Sequence, residues 1–357
     1  MRPSPIQATV DFNADGEQHG FLKLPYSHDT SAWGAVMIPV TVIRRGDGPT
    51  VLLTGGNHGD EYEGPIALAK LAATLKTTDV KGRVIIVPYM NYPAFRAGTR
   101  TSPIDRGNLN RSFPGKPDGT VTEKIADYFQ RYLLPLADYV LDLHAGGRTL
   151  DFVPFAAIHV LEDAAQQARC EAAMHAFGAP YSMRMLELDS IGLFDSAVEE
   201  AGKVFVSTEL GGGGTATVES VAVAVRGIYG FLAHAGVLAW NSQCVKTHVP
   251  DTAARTTTLL DMPDGSCYTI SEHDGLLELC KDLGDTVETG DVIARIYDAT
   301  RSGAMPVEYR ARRGGLLAAR HFPGLVHIGD TVAVVADVVE KGIPVTHGAA
   351  QHSAIHG

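Results

Sequence analysis

The chain has 357 residues, 45% hydrophobic and 20% charged, the composition of a soluble globular protein with room for about two domains. Lys and Arg number 30 against 41 Asp and Glu, a formal net charge of −11 that repels phosphate backbones and anionic bilayers, which sets nucleic acid and membrane aside as main partners. A small molecule is the expected partner.

Residues Met1 to Asp15 carry no apolar core behind a basic region, so no secretory leader is expected. The alternation in Val36 to Ile43 predicts additional strands at one edge of a sheet. From Thr50 to about Trp240, short β-branched runs alternate with helical patterns, the signature of an α/β sheet with crossover helices. The runs are Val51 to Thr54, Val84 to Val87, Tyr139 to Leu143 and Val204 to Thr208. Helices are predicted over Pro65 to Leu75 and Thr122 to Leu134, the second opened by a Thr120 and Glu123 capping box, with Ile125, Phe129 and Tyr132 as its buried stripe. Val221 to Trp240 is strongly apolar but interrupted by Arg226, His234 and three glycines, which predicts a buried or amphipathic helix and not a membrane span.

A polar, Pro-containing stretch at Val245 to Ala254 reads as a linker. Beyond it, Gly275-Leu-Leu leads to Gly284-Asp-Thr-Val287, and Gly315-Leu-Leu leads to Gly329-Asp-Thr-Val332. This half-repeat predicts a small all-β module, similar to the barrel-sandwich fold of carrier domains but without their methionine-flanked lysine at a hairpin tip. The expected organisation is a catalytic unit at residues 1–245, a β unit at 255–342 that offers surface for a homodimer, and a tail at 343–357. His347, His352 and His356 in that tail read as a solvated terminus. Cys170, Cys244, Cys267 and Cys280 form no C-x-x-C pair, so reduced thiols and a cytoplasmic setting are expected.

Three phrases carry the chemistry. G-G-N-H-G-D-E-Y-E-G at Gly55 to Gly64 supplies His58 and Glu61, D-L-H-A-G-G at Asp142 to Gly147 supplies His144, and S-T-E-L-G-G-G-G at Ser207 to Gly214 supplies Glu209. Two histidines, a carboxylate and a separate Glu are the parts of a catalytic zinc site with one open position. An isolated H-x-x-E or strand-end histidine is common and uninformative. These lie together at the carboxyl ends of predicted strands, where α/β sheets bind ligands. The flanking glycines fit backbone passing close to a ligand, or simply tight turns. The segment Arg96 to Gly115 adds four arginines, Arg96, Arg100, Arg106 and Arg111, suited to carboxylate and oxyanion; composition does not choose among them.

H-G-D-E, N-L-N-R-S-F-P-G and the later D-L-H, in this order, resemble the succinylglutamate desuccinylase and aspartoacylase family of zinc carboxypeptidase-like hydrolases. The resemblance implies a mixed sheet with flanking helices and the C-terminal β unit. It implies one zinc per chain on His58, Glu61 and His144, with Glu209 as base, Arg100 polarising the scissile carbonyl, and Asn110 with Arg111 holding the substrate carboxylate. A tyrosine from the β unit is expected near the substrate, with Tyr309 the candidate. Asn108 stands where many relatives have Asp, a change expected to affect how Arg111 or its neighbours are oriented. G-G-N-H-G-D-E-Y-E-G-P, A-G-T-R-T-S-P-I-D-R-G-N and S-T-E-L-G-G-G-G-T are similar to the branch that removes acetyl from Nα-acetyl-2,4-diaminobutyrate in ectoine breakdown, so that substrate is expected. Aspartoacylase or desuccinylase activity and, more distantly, metallocarboxypeptidase activity stay open.

Overall fold

The computed structural model describes residues 2–249 and 256–345. At its centre, the strand Thr50–Gly55 runs parallel between Gly82–Val87 and Tyr139–His144, and Tyr139–His144 in turn pairs in parallel with Val204–Glu209. These are the four runs read from the sequence. Strict alternation explains their unbroken apolar character. Val51, Leu53, Val84, Ile86, Leu141, Leu143, Val204 and Val206 enter one core, while Leu52, Ile85, Val87, Val140 and Phe205 enter the other. A parallel sheet covered on both faces by helices needs apolar side chains at every position.

The helices Glu63–Thr74, Ala164–Phe177 and Val218–His234 supply the first core, and Val121–Tyr128 with Phe194–Glu200 supply the second. The Thr120 and Glu123 capping box is present. Its helix differs from expectation at one point. Ile125 and Phe129 are fully buried, but Tyr132 is 39% exposed and Leu133 takes the inward place. The reason is a π turn over Phe129–Leu133, which adds a residue to the turn and moves the next inward position by one. Val218–His234 is a largely buried helix, and no helix among the described residues is long and apolar enough to cross a membrane.

Val36 to Ile43 belongs to the strand Ala35–Arg45, which with Gly16–Pro25 extends one end of the sheet. At the other end Val204–Glu209 pairs antiparallel with Phe155–Ile158, and the sheet continues through Tyr181–Arg184 and Thr256–Asp261 to Thr331–Pro344. One 15-stranded sheet therefore reaches into the C-terminal module. A separate four-stranded antiparallel sheet is built from Val307–Arg310, Val292–Tyr297, Gly275–Leu279 and Leu325–Val326. The half-repeat is visible in its turns. Gly284 and Gly329 adopt φ of +85° and +94°, and the aspartate after each accepts a backbone hydrogen bond from three residues earlier, Asp282 N to Asp285 at 2.9 Å and His327 N to Asp330 at 2.8 Å. The module also braces the catalytic side, because Gly315–His321 pairs with Leu150–Phe152, just beyond His144. The expected linker at Val245 to Ala254 opens instead with the short helix Gln243–His248, in which Val245 is buried; residues 250–255 and the histidines of the tail lie outside the described residues.

The helix Phe194–Glu200 is tied to the sheet by a nearly buried pair, His159 Nδ1 and Glu199 Oε2 at 3.0 Å. Burial works against the imidazolium, but the Glu199 hydrogen bond and the charges of Glu199, Asp195 and Glu187 outweigh it and hold His159 at about 9. Because the folded value lies above the ordinary 6.5, this stabilisation is complete below pH 6.5 and is lost as pH rises through about 9. Unfolding free energy measured by denaturant titration should fall by up to about 3 kcal/mol across that window. Glu199→Gln should flatten the fall; an unchanged pH profile in the variant would remove the pair from this role.

Candidate metal and substrate site

Register brings the chemistry together. Glu209 is the direct cross-strand partner of His144, and Gly55 is opposite Leu143, so three parallel strands end at one level. Beyond Gly55 the chain turns through Gly56 at φ +64°, a left-handed position beside the Tyr89 backbone that disfavours any side chain. The turn delivers His58 and Glu61 just before the helix Glu63–Thr74. Glu61 Oε1 lies 2.7 Å from His58 Nδ1, Glu61 Oε2 lies 2.9 Å from His144 Nδ1, and Oε2 also accepts from Ala145 N at 3.1 Å. All three side chains are buried, and each offers a ligand atom within 4.8 Å of the others.

The far side of each imidazole is already committed. Asp142 Oδ2 sits 2.9 Å from His144 Nε2, and Thr54 Oγ1 and Asn57 Nδ2 donate to the same carboxylate at 2.6 and 3.1 Å. Asn108 Oδ1 sits 3.2 Å from His58 Nε2. Each imidazole therefore has an acceptor oxygen on both sides, a Glu61 oxygen at Nδ1 and Asp142 or Asn108 at Nε2. Electron-rich atoms converge from three directions, an arrangement that a cation resolves. Burial opposes the charge on Glu61, yet His58 and His144 outweigh it and hold its carboxyl well below the usual range. Burial likewise opposes charge on His144, but Asp142 and Glu61 push it well above its ordinary value. Two imidazole nitrogens with one carboxylate oxygen match a catalytic zinc donor set.

Glu209, Arg100, Asn110 and Arg111 line the same cavity as His58, Glu61 and His144. Glu209 Oε2 is buried with no hydrogen-bond partner among the described residues, and burial together with the Glu61 charge pushes its carboxyl well up. Arg100 Nη1 lies 3.7 Å from Glu61 Oε1. Asn110 Oδ1 accepts from Phe194 N at 2.9 Å, which fixes the amide and leaves Nδ2 as the free donor. Of the four arginines, Arg100 and Arg111 reach the cavity; Arg96 lies against Tyr92, and Arg106 is exposed on a left-handed turn.

Several expectations are redirected. Tyr309 bonds Glu272 N at 2.8 Å and His273 Nδ1 at 2.7 Å within the four-stranded sheet and is absent from the cavity lining. Asn108 acts first on His58; Arg111 instead donates to Asn110 O at 2.7 Å and faces Glu187 at 3.8 Å. A Cβ at Gly146 or Gly212 would collide with the Leu150 carbonyl, so the glycines there serve close packing of the chain on itself. Sequence reasoning also passed over Asp142, Glu187 and Asp195. Asp142 had a signal, since residues two apart on a strand share a face and metal-binding histidines take a carboxylate behind them. Glu187 and Asp195 lie outside every phrase.

Residues 47–235 match the succinylglutamate desuccinylase/aspartoacylase catalytic domain. The chain is 66% identical over 341 residues to the N-alpha-acetyl-L-2,4-diaminobutyric acid deacetylase of Halomonas elongata, with 96% of this chain and 97% of that protein covered. The product-bound ectoine utilization protein EutE (DoeB) of Ruegeria pomeroyi is 60% identical, with a TM-score of 0.90 over 94% of this chain and 100% of that one. A succinylglutamate desuccinylase/aspartoacylase of Rhodobacter sphaeroides is 39% identical, with a TM-score of 0.86 over 94% of this chain and 100% of that one. With the domain match spanning more than half its length, the chain belongs to the succinylglutamate desuccinylase/aspartoacylase family.

Proposed function

We propose that this chain hydrolyses Nα-acetyl-L-2,4-diaminobutyrate to 2,4-diaminobutyrate and acetate, as the named activity of its Halomonas elongata relative suggests, using one zinc ion per chain. The observation that carries the reading is the convergence of His58, Glu61 and His144 beside an unpaired Glu209 in a cavity rimmed by arginines. His58, Glu61 and His144 would hold the ion. Zinc supplies Lewis acidity when bound, making water a better proton donor and drawing charge from a carbonyl oxygen.

Glu209 Oε2 takes a proton from the water as its oxygen attacks the acetyl carbonyl, then delivers that proton to the amine nitrogen as the C–N bond breaks. Arg100, which lines the cavity, stabilises the negative charge that develops on the carbonyl oxygen. Asn110 Nδ2 and the Arg111 guanidinium hold the substrate carboxylate, which favours single amino acids over internal peptide bonds.

The same proposal includes a catalytic unit at 1–245, a β unit at 255–342, and a cytoplasmic setting, supported by four free thiols. It also includes a homodimer through the β unit, where Leu276, Tyr297 and Leu325 are exposed neighbours on paired strands.

A panel of Nα-acetyl-2,4-diaminobutyrate, acetylaspartate and succinylglutamate tests the substrate. The first should show the highest kcat/KM by about tenfold or more; preference for either acidic substrate would transfer the chain to a sister activity. Glu209→Gln should lower kcat by about 10²- to 10⁴-fold with zinc content unchanged by metal analysis. Near-normal turnover in that variant would take the base role away from Glu209.

A further inference from the structure

Four carboxylates line the cavity: Glu61, Glu209, Glu187 and Asp195. The first two have roles as ligand and base. The other two are left facing the substrate space without an assignment.

Asp195 lies in the first turn of the helix Phe194–Glu200, which Asn110 anchors through Phe194 N. Its side chain is 4% exposed, and Oδ1 is buried with no hydrogen-bond partner among the described residues. Glu187 follows the strand Tyr181–Arg184 and is mostly buried; the nearest guanidinium, on Arg111, is 3.8 Å away, too far for a hydrogen bond. Burial pushes both carboxyls up, and Asp195 adds to the effect on Glu187. The His159 ring faces the pair, but its hydrogen bond goes to Glu199. A buried acid and a half-buried one thus line the same cavity with one acceptor unfilled, a costly arrangement unless a hydrogen-bond donor enters.

We propose that Glu187 and Asp195 receive the side-chain ammonium of the substrate, an inference that rests on the deacetylase reading above. An ammonium offers three donors in a compact charge, enough for both carboxylates. The placement also matches the substrate end to end. Arg111 and Glu187 stand side by side with opposite charge, as do the α-carboxylate and the ammonium of diaminobutyrate across a short carbon chain. A substrate bearing a second carboxylate would instead bring like charge against the pair, which rejects it.

The test compares zinc-loaded wild type, Asp195→Asn and Glu187→Gln on two substrates of equal length, Nα-acetyl-2,4-diaminobutyrate and Nα-acetylnorvaline, in which a methyl replaces the ammonium. Wild type should prefer the ammonium substrate, and each variant should cut that preference in kcat/KM by about ten- to a hundredfold, mainly through KM. A wild-type preference that neither variant moves by more than about twofold overturns the subsite and leaves the deacetylase reading standing. Equal loss on both substrates also overturns it, because that pattern belongs to a structural role. If Asp195→Asn fails to fold by circular dichroism, Glu187→Gln decides between the same two results. Failure of wild type to hydrolyse the acetyl-diaminobutyrate removes the deacetylase reading and the subsite with it.

Discussion

One carboxylate organises the site. Glu61 faces an imidazole nitrogen on each of its oxygens, at 2.7 and 2.9 Å, and both rings are held from behind by other acceptors. None of the three can turn away without abandoning a buried hydrogen bond, which costs about 1–3 kcal/mol each. The fold thereby holds the three side chains in one arrangement. The parallel sheet makes this affordable: His144 and Asp142 project from one buried strand, and the pairing with Val204–Glu209 puts Glu209 at a fixed distance along the next.

The two histidines are supported unequally. His144 is backed by a buried carboxylate, Asp142, and is pushed up; His58 is backed by the neutral amide of Asn108 and is pulled down by burial. The residue at position 108 thus bears on His58 directly, where the family resemblance alone directed attention to Arg111 or its neighbours.

Much of this was legible in the sequence, for identifiable reasons. Strands buried on both faces read as short apolar runs, and the glycines that follow three of the four mark where the chain turns. His58, Glu61, His144 and Glu209 stood out because each adjoins such an end. Tyr132 was misplaced because a π turn leaves no mark in the apolar spacing. Tyr309 was drawn toward the site by resemblance, whereas its hydroxyl is held by Glu272 and His273. Glu187 and Asp195 could not be found from spacing, since a loop carries the first to the cavity and the second sits in the first turn of a helix that Asn110 anchors through Phe194.

The central claim is that His58, Glu61 and His144 bind a single divalent ion beside Glu209. An anomalous difference map collected at the zinc edge from crystals of the protein grown with zinc tests it most directly. The account predicts one peak per chain, within bonding distance of both Nδ1 atoms and a Glu61 oxygen, at about 2.0–2.2 Å. A peak bound elsewhere, or none at the cluster with zinc in excess, would contradict it.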